Sequence, residues 1–218
     1  SPSQSRQRHA SSPASPPPIQ QAPTAHTAFA DLARRVLDGC MKLNTVSATQ
    51  LGDHRFDSEV DDLSATGRDK AVAFSKRMLA ELDGIDTSKL SRENQVDASI
   101  LRNQLRSDLW NLDTFQSWAW DPQVYSGLAG GAIYNLMARD FAPLPRRLIS
   151  ATARMAEIPG IFAQMPANLD PARVPKLHAE TVAKPNAGVL SLVDQFITPH
   201  AAQRPRTEAT RLDPPVAR

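Results

Sequence analysis

The most constraining feature of the sequence is a stretch from Ser91 to Trp120 that contains neither glycine nor proline. Its apolar residues recur mostly every three or four positions, the spacing of one side of an α-helix with about 3.6 residues per turn. They are Val96, Ile100, Leu101, Leu105, Leu109, Leu112 and Phe115. Ser91 is suited to cap this helix, because its hydroxyl can accept a hydrogen bond from a free backbone N–H of the first turn. We therefore predict one long helix, over about residues 91–118, on which the other helices pack.

The rest of the chain also has helical periodicity. Residues 26–43 give the clearest amphipathic pattern, and the side expected to be buried consists of Phe29, Leu32, Ala33, Val36, Leu37 and Cys40. Thr27 is the expected N-cap of this helix. Further helices are predicted over residues 64–82, with Ser64 as the N-cap and Gly84 as a left-handed stop, and within residues 125–141. Another is predicted up to Pro159, followed by a short helix that Pro166 ends. The last covers about residues 177–198 and is split at Pro185; its buried side is Val189, Leu190, Leu192, Val193, Phe196 and Ile197.

No segment shows the alternating pattern or the buried Val/Ile run of a β-strand. The predicted fold class is therefore all-α, with six to eight helices in a bundle or array around the long helix.

The composition divides the chain into three parts. Residues 1–26 are rich in Ser and Pro and are predicted to be a disordered tail or linker. Residues 27–200 form the predicted helical domain, and residues 201–218 have few large apolar side chains and form a poorly defined end. The excess of positive charge lies in the two ends, so the helical domain offers no basic face for nucleic acid.

The chain contains no apolar run of the ~20 residues that a transmembrane helix requires. No export signal is visible, and the sequence begins at Ser1 rather than Met. A Ser/Pro-rich segment ahead of a globular domain is a common spacer in exported proteins. We therefore expect the bacterial periplasm or cell envelope, with the cytoplasm as the alternative.

The densest cluster of titratable residues follows Gly52 and includes Asp53, His54, Arg55 and Asp57. One interpretation is a substrate or metal site in which a carboxylate holds His54. The other is a loop that connects and caps helices, since Gly and Asp readily adopt turn geometry. We prefer the capping loop, because the cluster lacks the two His at i, i+4 that make a zinc motif specific.

Aromatic residues supply the second group of candidates. Trp118, Trp120, Tyr125 and Tyr134 can line a ligand groove, although the two Trp residues more often form the plug at a helix end. Small residues at 127–132 are expected to allow close helix–helix approach. Arg139 and Asp140 form a charged pair at the end of the same helix, facing a cleft or serving structure.

The sequence contains no complete catalytic motif. No two His residues are spaced as His-x-x-x-His, and there is neither a serine-hydrolase elbow nor a phosphate-binding loop. Cys40 is the single cysteine, which excludes an intrachain disulfide and a multi-cysteine zinc site, and we interpret it as a small buried apolar residue. We predict no catalytic residue, no metal ligand and no cofactor within this chain.

Three segments, found at residues 47–64, 82–105 and 138–148, resemble the amino-terminal half of the bacterial family known as domain of unknown function 885. Their most distinctive parts are Gly-Asp-His-Arg-Phe-Asp at 52–57 and Ala-Arg-Asp-Phe at 138–141. The resemblance implies a largely helical protein that is often exported or lipid-anchored. Full-length members are longer and resemble zinc peptidases of the gluzincin type. Their hallmark is a His-Glu pair followed by Pro-Gly-His-His, where two His and a distal carboxylate hold zinc.

That hallmark is absent from residues 1–218, so no catalytic or zinc-binding residue is carried over. Three hypotheses follow. The first is a helical scaffold and cleft wall of a zinc-dependent, peptidase-like hydrolase, inactive alone, whose partner is the carboxy-terminal half of the same polypeptide and whose substrate is peptide-like. The second is a self-contained helical binding module. The third, ranked last, is a small enzyme that uses Asp53, His54 and Asp57.

Overall fold

The computed structural model describes residues 24–183, and within them every regular element is helical, which confirms the all-α prediction. The α-helices are α1 (Ala25–Leu43), α2 (Thr45–Leu51), α3 (Ala65–Asp83), α4 (Arg92–Trp110), α5 (Ser117–Trp120), α6 (Gln123–Met137), α7 (Leu144–Asn168) and α8 (Lys176–Ala183). Short 3₁₀ turns lie at His54–Phe56 and Thr87–Lys89, and one π-helical turn lies at Asn111–Phe115. Residues 1–23 and 184–218 lie outside the described residues, and they hold most of the predicted tail, the end of the last predicted helix and the carboxy-terminal end. Ala25 and His26, which were assigned to the tail, belong to α1.

The first core is built by α1, α3 and α4. Phe29, Leu32 and Val36 of α1 are buried against Met78 and Leu82 of α3. Leu90, Ala98 and Leu105 complete this cluster, and Cys40 packs half-buried at its edge. The amphipathic pattern of residues 26–43 therefore identified the correct side of α1, with one exception: Leu37 is 59% exposed.

The second core lies between α6 and α7, and it is joined to the first by α2. Ile133, Leu136 and Met137 of α6 pack on Ala151 of α7. Helix α2 contacts both α1 and α6, and its Val46 and Ala48 are buried. The short helix therefore holds the two cores together, which places the loop that follows it at the junction.

The predicted long helix is interrupted. Helix α4 ends at Trp110, a π-turn follows, and Gln116 then adopts a left-handed conformation with φ of 52° before α5 begins. Contacts of Trp118 favour this break: its indole N–H donates to the Leu112 carbonyl, and the Arg68 guanidinium lies 3.8 Å from its ring. The prediction of a continuous helix over 91–118 was wrong because these tertiary contacts outweigh the local helical preference.

The side of α4 expected to be buried is covered only in part. Leu105 is buried, whereas Val96 is 41% exposed and Ile100 is 62% exposed. Phe115, in the π-turn, is 40% exposed. Helix α4 packs on α1 and α3. Among the described residues, these two helices cover only part of the predicted apolar stripe of α4.

Helix α7 is longer than predicted, because it runs without a break through Pro159 and Pro166. Both prolines are exposed, so water can bind the carbonyls that their missing N–H groups leave free. Ile161, between them, is buried. The predicted boundaries at these prolines were therefore wrong, and packing on α6 maintains the helix.

The helix caps follow the sequence closely. The Ser64 and Ser91 hydroxyls accept hydrogen bonds from Gly67 N and Asn94 N, as predicted. Thr24, rather than Thr27, caps α1. Gly84 follows α3 with φ of −77°, so it does not adopt the predicted left-handed conformation.

The small residues at 127–132 contact neighbouring elements in part. Ala129 and Ala132 are fully buried on the contact side of α6, and a Cβ atom added to Gly131 would lie 3.5 Å from Val46 of α2. A Cβ atom added to Gly127 or Gly130 would meet no atom within 4 Å. The approach is closer at Gly39 of α1, where a Cβ atom would lie 2.2 Å from the Phe74 ring.

Candidate functional site

The Gly52–Asp57 loop is closed by its own side chains. Gly52 ends α2 in a left-handed conformation with φ of 93°. The Asp53 carboxylate caps the following 3₁₀ turn by accepting from Arg55 N, and it also accepts from the Arg55 guanidinium. Arg55 reaches back to Asp38 of α1 at 2.9 Å. These hydrogen bonds hold the pKa of Asp53 below its usual range.

His54 and Asp57 form a pair on the inner side of this loop. The His54 Nδ1 atom lies 3.1 Å from the Asp57 carboxylate, and the other oxygen of that carboxylate accepts from the Thr49 hydroxyl at 2.7 Å. With Nδ1 beside a carboxylate, the favoured neutral tautomer carries its proton on Nδ1 and leaves the Nε2 lone pair free.

Arg154 of α7 organises the loop from beneath. Its side chain is fully buried, and its guanidinium makes five hydrogen bonds. They go to the carbonyls of Glu59, Ala132, Thr45 and Phe56 and to the Thr49 hydroxyl. Burial lowers the pKa of Arg154, while attraction from Asp57, Asp61 and Glu59 opposes this shift. One side chain thus ties α2, α6 and the loop to α7.

Asp61 caps α2 from a distance. Its Oδ1 accepts from Val46 N and from the Thr45 hydroxyl, both at 3.0 Å, where α2 has no side-chain cap from its own N-cap residue. A carboxylate at this position is favoured by the positive end of the helix dipole. Burial nevertheless raises the pKa of Asp61, because desolvation of the charged form exceeds these hydrogen bonds and the attraction of Arg154.

The Ala138–Phe141 segment is organised by Arg147, which lies two helical turns before Arg154 on α7. The Arg147 guanidinium donates to the carbonyls of Met137 and Arg139 near the carboxy-terminal end of α6, and to the Asp140 carboxylate at 2.6 Å. Arg139 itself does not pair with Asp140; it donates to the Gln50 carbonyl at 2.8 Å.

The structure brings the two distinctive segments together. The imidazole of His54 stacks on the Phe141 ring with a centroid distance of 3.7 Å and an interplanar angle of 10°. We call the assembly of residues 52–61, residues 138–141, Arg147 and Arg154 the polar knot. Asp61, Arg139, Arg147 and Arg154 bond to backbone groups of neighbouring elements, which is the arrangement expected of a structural junction.

The aromatic candidates lie elsewhere and are not equivalent. Tyr125 is fully buried, and its hydroxyl donates to the Trp118 carbonyl at 2.7 Å. Trp118 is half-buried beneath Arg68, whereas Tyr134 is 53% exposed on α6. Trp120 is partly exposed and its indole N–H donates to the Phe115 carbonyl.

Trp120 belongs to a row of four rings on the surface. Trp110 stacks on Phe115 at 5.1 Å, Phe115 meets Trp120 edge-on at 5.2 Å, and Trp120 meets His178 at 5.4 Å. We call Trp110, Phe115, Trp120 and His178 the aromatic row. The π-turn and the left-handed Gln116 lie in the middle of it, and such local irregularities often occur at functional sites.

A cavity of about 800 Å³ opens between α1, α3, α4 and residues 59–63. Cys40, Phe74 and Met78 form part of its apolar wall, and Asp61 and Asp108 contribute carboxyl groups. Burial raises the pKa of both Cys40 and Asp108. A thiol in such surroundings is a poor nucleophile, in keeping with the interpretation of Cys40 as an apolar residue.

The described residues offer no group of three or more His, Cys, Asp or Glu side chains that could hold a metal ion. The side chains of the polar knot therefore do not fit the zinc site that the family resemblance implies for full-length members. Within residues 24–183, no helix is long and apolar enough to cross a membrane.

Sequence reasoning missed the residues that organise the polar knot: Arg147, Arg154, Asp61, Thr49 and Phe141. One signal was available, since Arg147 and Arg154 are seven positions apart and so share a side of α7. Nothing local shows that these two arginines would donate to backbone carbonyls of other segments.

Comparison with known proteins gives one family and one solved structure. The profile of the family described as "Bacterial protein of unknown function (DUF885)" matches residues 46–217. A solved structure from Shewanella oneidensis, described as that of a candidate lipoprotein of unknown function, is 29% identical and superposes with a TM-score of 0.69. The match covers 78% of this chain but 30% of that one, so this chain spans less than a third of its length. No curated protein matches.

Proposed function

The chain belongs to the DUF885 family of bacterial proteins, and from that premise we propose that it forms the amino-terminal wall of a larger envelope hydrolase. In this proposal residues 24–183 supply a scaffold and one side of a cleft, and the zinc-binding and catalytic groups come from the carboxy-terminal half of the polypeptide. The substrate is peptide-like, and the isolated wall has no hydrolytic activity.

The observation that carries the proposal combines the short length of this chain relative to a solved relative with the exposed apolar surface of α4. The chain corresponds to 30% of a longer relative, and the outer side of α4 leaves Val96 and Ile100 exposed next to each other at i, i+4. Adjacent exposed aliphatic residues on a long helix are typical of a surface that another part of the protein covers. The solved relative is described as a candidate lipoprotein, which supports a place in the cell envelope.

The polar knot supports the same proposal. Arg139, Arg147 and Arg154 donate to backbone carbonyls, and Arg55 pairs with the Asp38 and Asp53 carboxylates. Asp53, Asp57 and Asp61 each accept hydrogen bonds from groups of the same wall. Such a junction fixes the mutual position of α2, α6 and α7 without providing a metal site. The knot therefore suits a rigid support for a neighbouring site better than a site of its own.

Metal content and activity test this proposal. The purified chain is incubated with zinc, passed through a desalting column, and examined by elemental analysis and by mass spectrometry of a mixed peptide library. We expect less than about one tenth of a zinc ion per chain and no cleavage, because the described residues cannot assemble three ligands. One retained zinc per chain with chelator-sensitive cleavage would contradict the proposal, as would zinc-independent cleavage that His54→Ala abolishes.

The surface is tested separately. The double substitution of Val96 and Ile100 by Ser is expected to lower the binding of a hydrophobic fluorescent dye to the native chain. The matched control is Leu51→Ser, since Leu51 is 70% exposed at the end of α2 and away from the proposed contact. An equal effect of both variants would show that α4 has no special role.

The second candidate function is a self-contained helical binding module, and the exposed aromatic row favours it. This alternative predicts a monodisperse chain that unfolds cooperatively and binds a ligand. Substitution of Trp120 is expected to abolish that binding. Light scattering across a range of concentrations separates the two functions, because an uncovered apolar wall is expected to self-associate as its concentration rises.

A further inference from the structure

We propose that the aromatic row is the docking surface for residues 187–198 of this same chain. The row is a large apolar feature of the described surface: Trp110 is 51% exposed and Phe115 is 40% exposed. Aromatic side chains of this kind are enriched at the centres of interfaces rather than on free surfaces.

The aromatic row continues into the last described part of the chain. The row ends at His178, which belongs to α8, the last described helix of the chain. The His178 Nδ1 lies 2.9 Å from the Asp121 carboxylate, and Arg173 donates to the Gln116 side chain at 2.8 Å. The chain is thus already fastened to the row at two points as it enters α8.

The chain that follows α8 is long enough to extend back along the aromatic row. Successive ring centroids from His178 to Trp110 are 5.4, 5.2 and 5.1 Å apart. After Ala183, residues 184–186 can span up to about 10 Å when extended, because a residue spans at most ~3.3–3.6 Å. Pro185 favours an extended residue before it, which suits a change of direction at this point. The following segment can therefore return over the row.

The amino-acid composition of residues 187–198 suits an apolar surface. Residues 187–198 contain Val189, Leu190, Leu192, Val193, Phe196 and Ile197 and one charged residue, Asp194. If helical, these twelve residues would be about 18 Å long at ~1.5 Å per residue, close to the extent of the row. The match to the family profile continues to residue 217, so the segment belongs to the family domain.

The test is hydrogen exchange measured by mass spectrometry on the full chain at several protein concentrations. In the wild type, backbone amides of residues 187–198 are expected to exchange at least tenfold more slowly than an unstructured peptide of that sequence. Trp110→Glu places a charge in the row and is expected to remove this protection, and Trp110→Ala to reduce it. The matched control, Leu51→Glu, introduces the same charge at an exposed leucine outside the row and is expected to leave the protection unchanged.

The other outcomes each contradict the proposal. Absence of protection in the wild type would show that residues 187–198 do not dock on the aromatic row. Protection that survives Trp110→Glu would place the segment on another surface, and protection that grows with protein concentration would identify a second copy as the occupant. None of these outcomes bears on the zinc and peptidase measurements, so this inference and the proposed function fail independently.

Discussion

Arg154 illustrates how a single buried charge can determine the arrangement of several elements. All five of its hydrogen bonds go to groups that are distant in sequence, and four of those groups are carbonyl oxygens. A planar guanidinium with five donors satisfies them together, which an ammonium group cannot do. Removal of the side chain would leave buried acceptors without partners, which is the costly case.

Arg154→Met is therefore expected to destabilise the chain by about 3–5 kcal/mol, the range for breaking a buried ionic network. Arg154→Lys is expected to be less damaging but well short of wild type. The measurement is the free energy of unfolding from urea denaturation. Arg146→Met is the matched control on the same helix, because Arg146 is exposed and its loss is expected to change stability by less than about 0.5 kcal/mol. Equal effects at the two positions would contradict the role given to Arg154.

Asp61 gives the polar knot a pH dependence. Because burial raises its pKa, the folded chain retains the proton at pH values where the unfolded chain has lost it. The contribution of Asp61 to stability therefore decreases as the pH rises from about 4, the ordinary carboxyl range, through the raised value.

Asp61→Asn keeps an oxygen that can accept from Val46 N and removes the titration. Its stability relative to wild type is expected to increase as the pH rises above about 4, the ordinary carboxyl range. Urea denaturation at each pH measures this difference. A relative stability that falls as the pH rises would show that the folded state favours the charged form. Asp113→Asn, at an exposed position of the π-turn, serves as the control for general charge effects.

At the scale of elements, Gly39 and Gly130 differ in how closely a neighbouring element approaches them, and not in helical propensity. Gly39 lets Phe74 of α3 lie directly on the backbone of α1, whereas Gly130 of α6 faces open space. Both are helical, so the intrinsic benefit of replacing glycine by alanine is similar at the two positions.

Gly39→Ala is expected to destabilise the chain by about 1–3 kcal/mol, the usual cost of overpacking. Gly130→Ala is expected to stabilise it by up to about 1 kcal/mol. Thermal unfolding of the two variants measures the contrast, and Gly39→Ala combined with Phe74→Leu is expected to recover part of the loss. Stabilisation by both substitutions would show that Phe74 does not occupy this position in solution.

What the sequence could predict also differs between elements. The all-α class, the caps at Ser64 and Ser91 and the buried side of α1 depend on local periodicity and capping, which a single sequence records. The break at Gln116 and the continuity of α7 through Pro159 depend on tertiary contacts, which override local preference. The polar knot was identified only by its titratable residues, because several of its contacts join residues far apart in sequence, such as His54 with Phe141 and Arg154 with Glu59.

At the scale of the whole molecule, two helical cores are joined by α2, which Arg154 of α7 binds to the second core. The surface that remains has an apolar side on α4 and an aromatic row beside the last described helix. The chain belongs to the DUF885 family, and its match covers 30% of a longer solved chain. These surfaces therefore belong to a larger context. The central claim is that this chain is the supporting wall of a hydrolase whose reactive groups lie further along the polypeptide.

The most direct test of that claim is to sequence the coding DNA well beyond the codon for Arg218. The account predicts an open reading frame that continues into a His-Glu pair followed by Pro-Gly-His-His. A stop codon directly after Arg218, with no such segment in any nearby frame, would contradict it and would make the self-contained binding module the leading function.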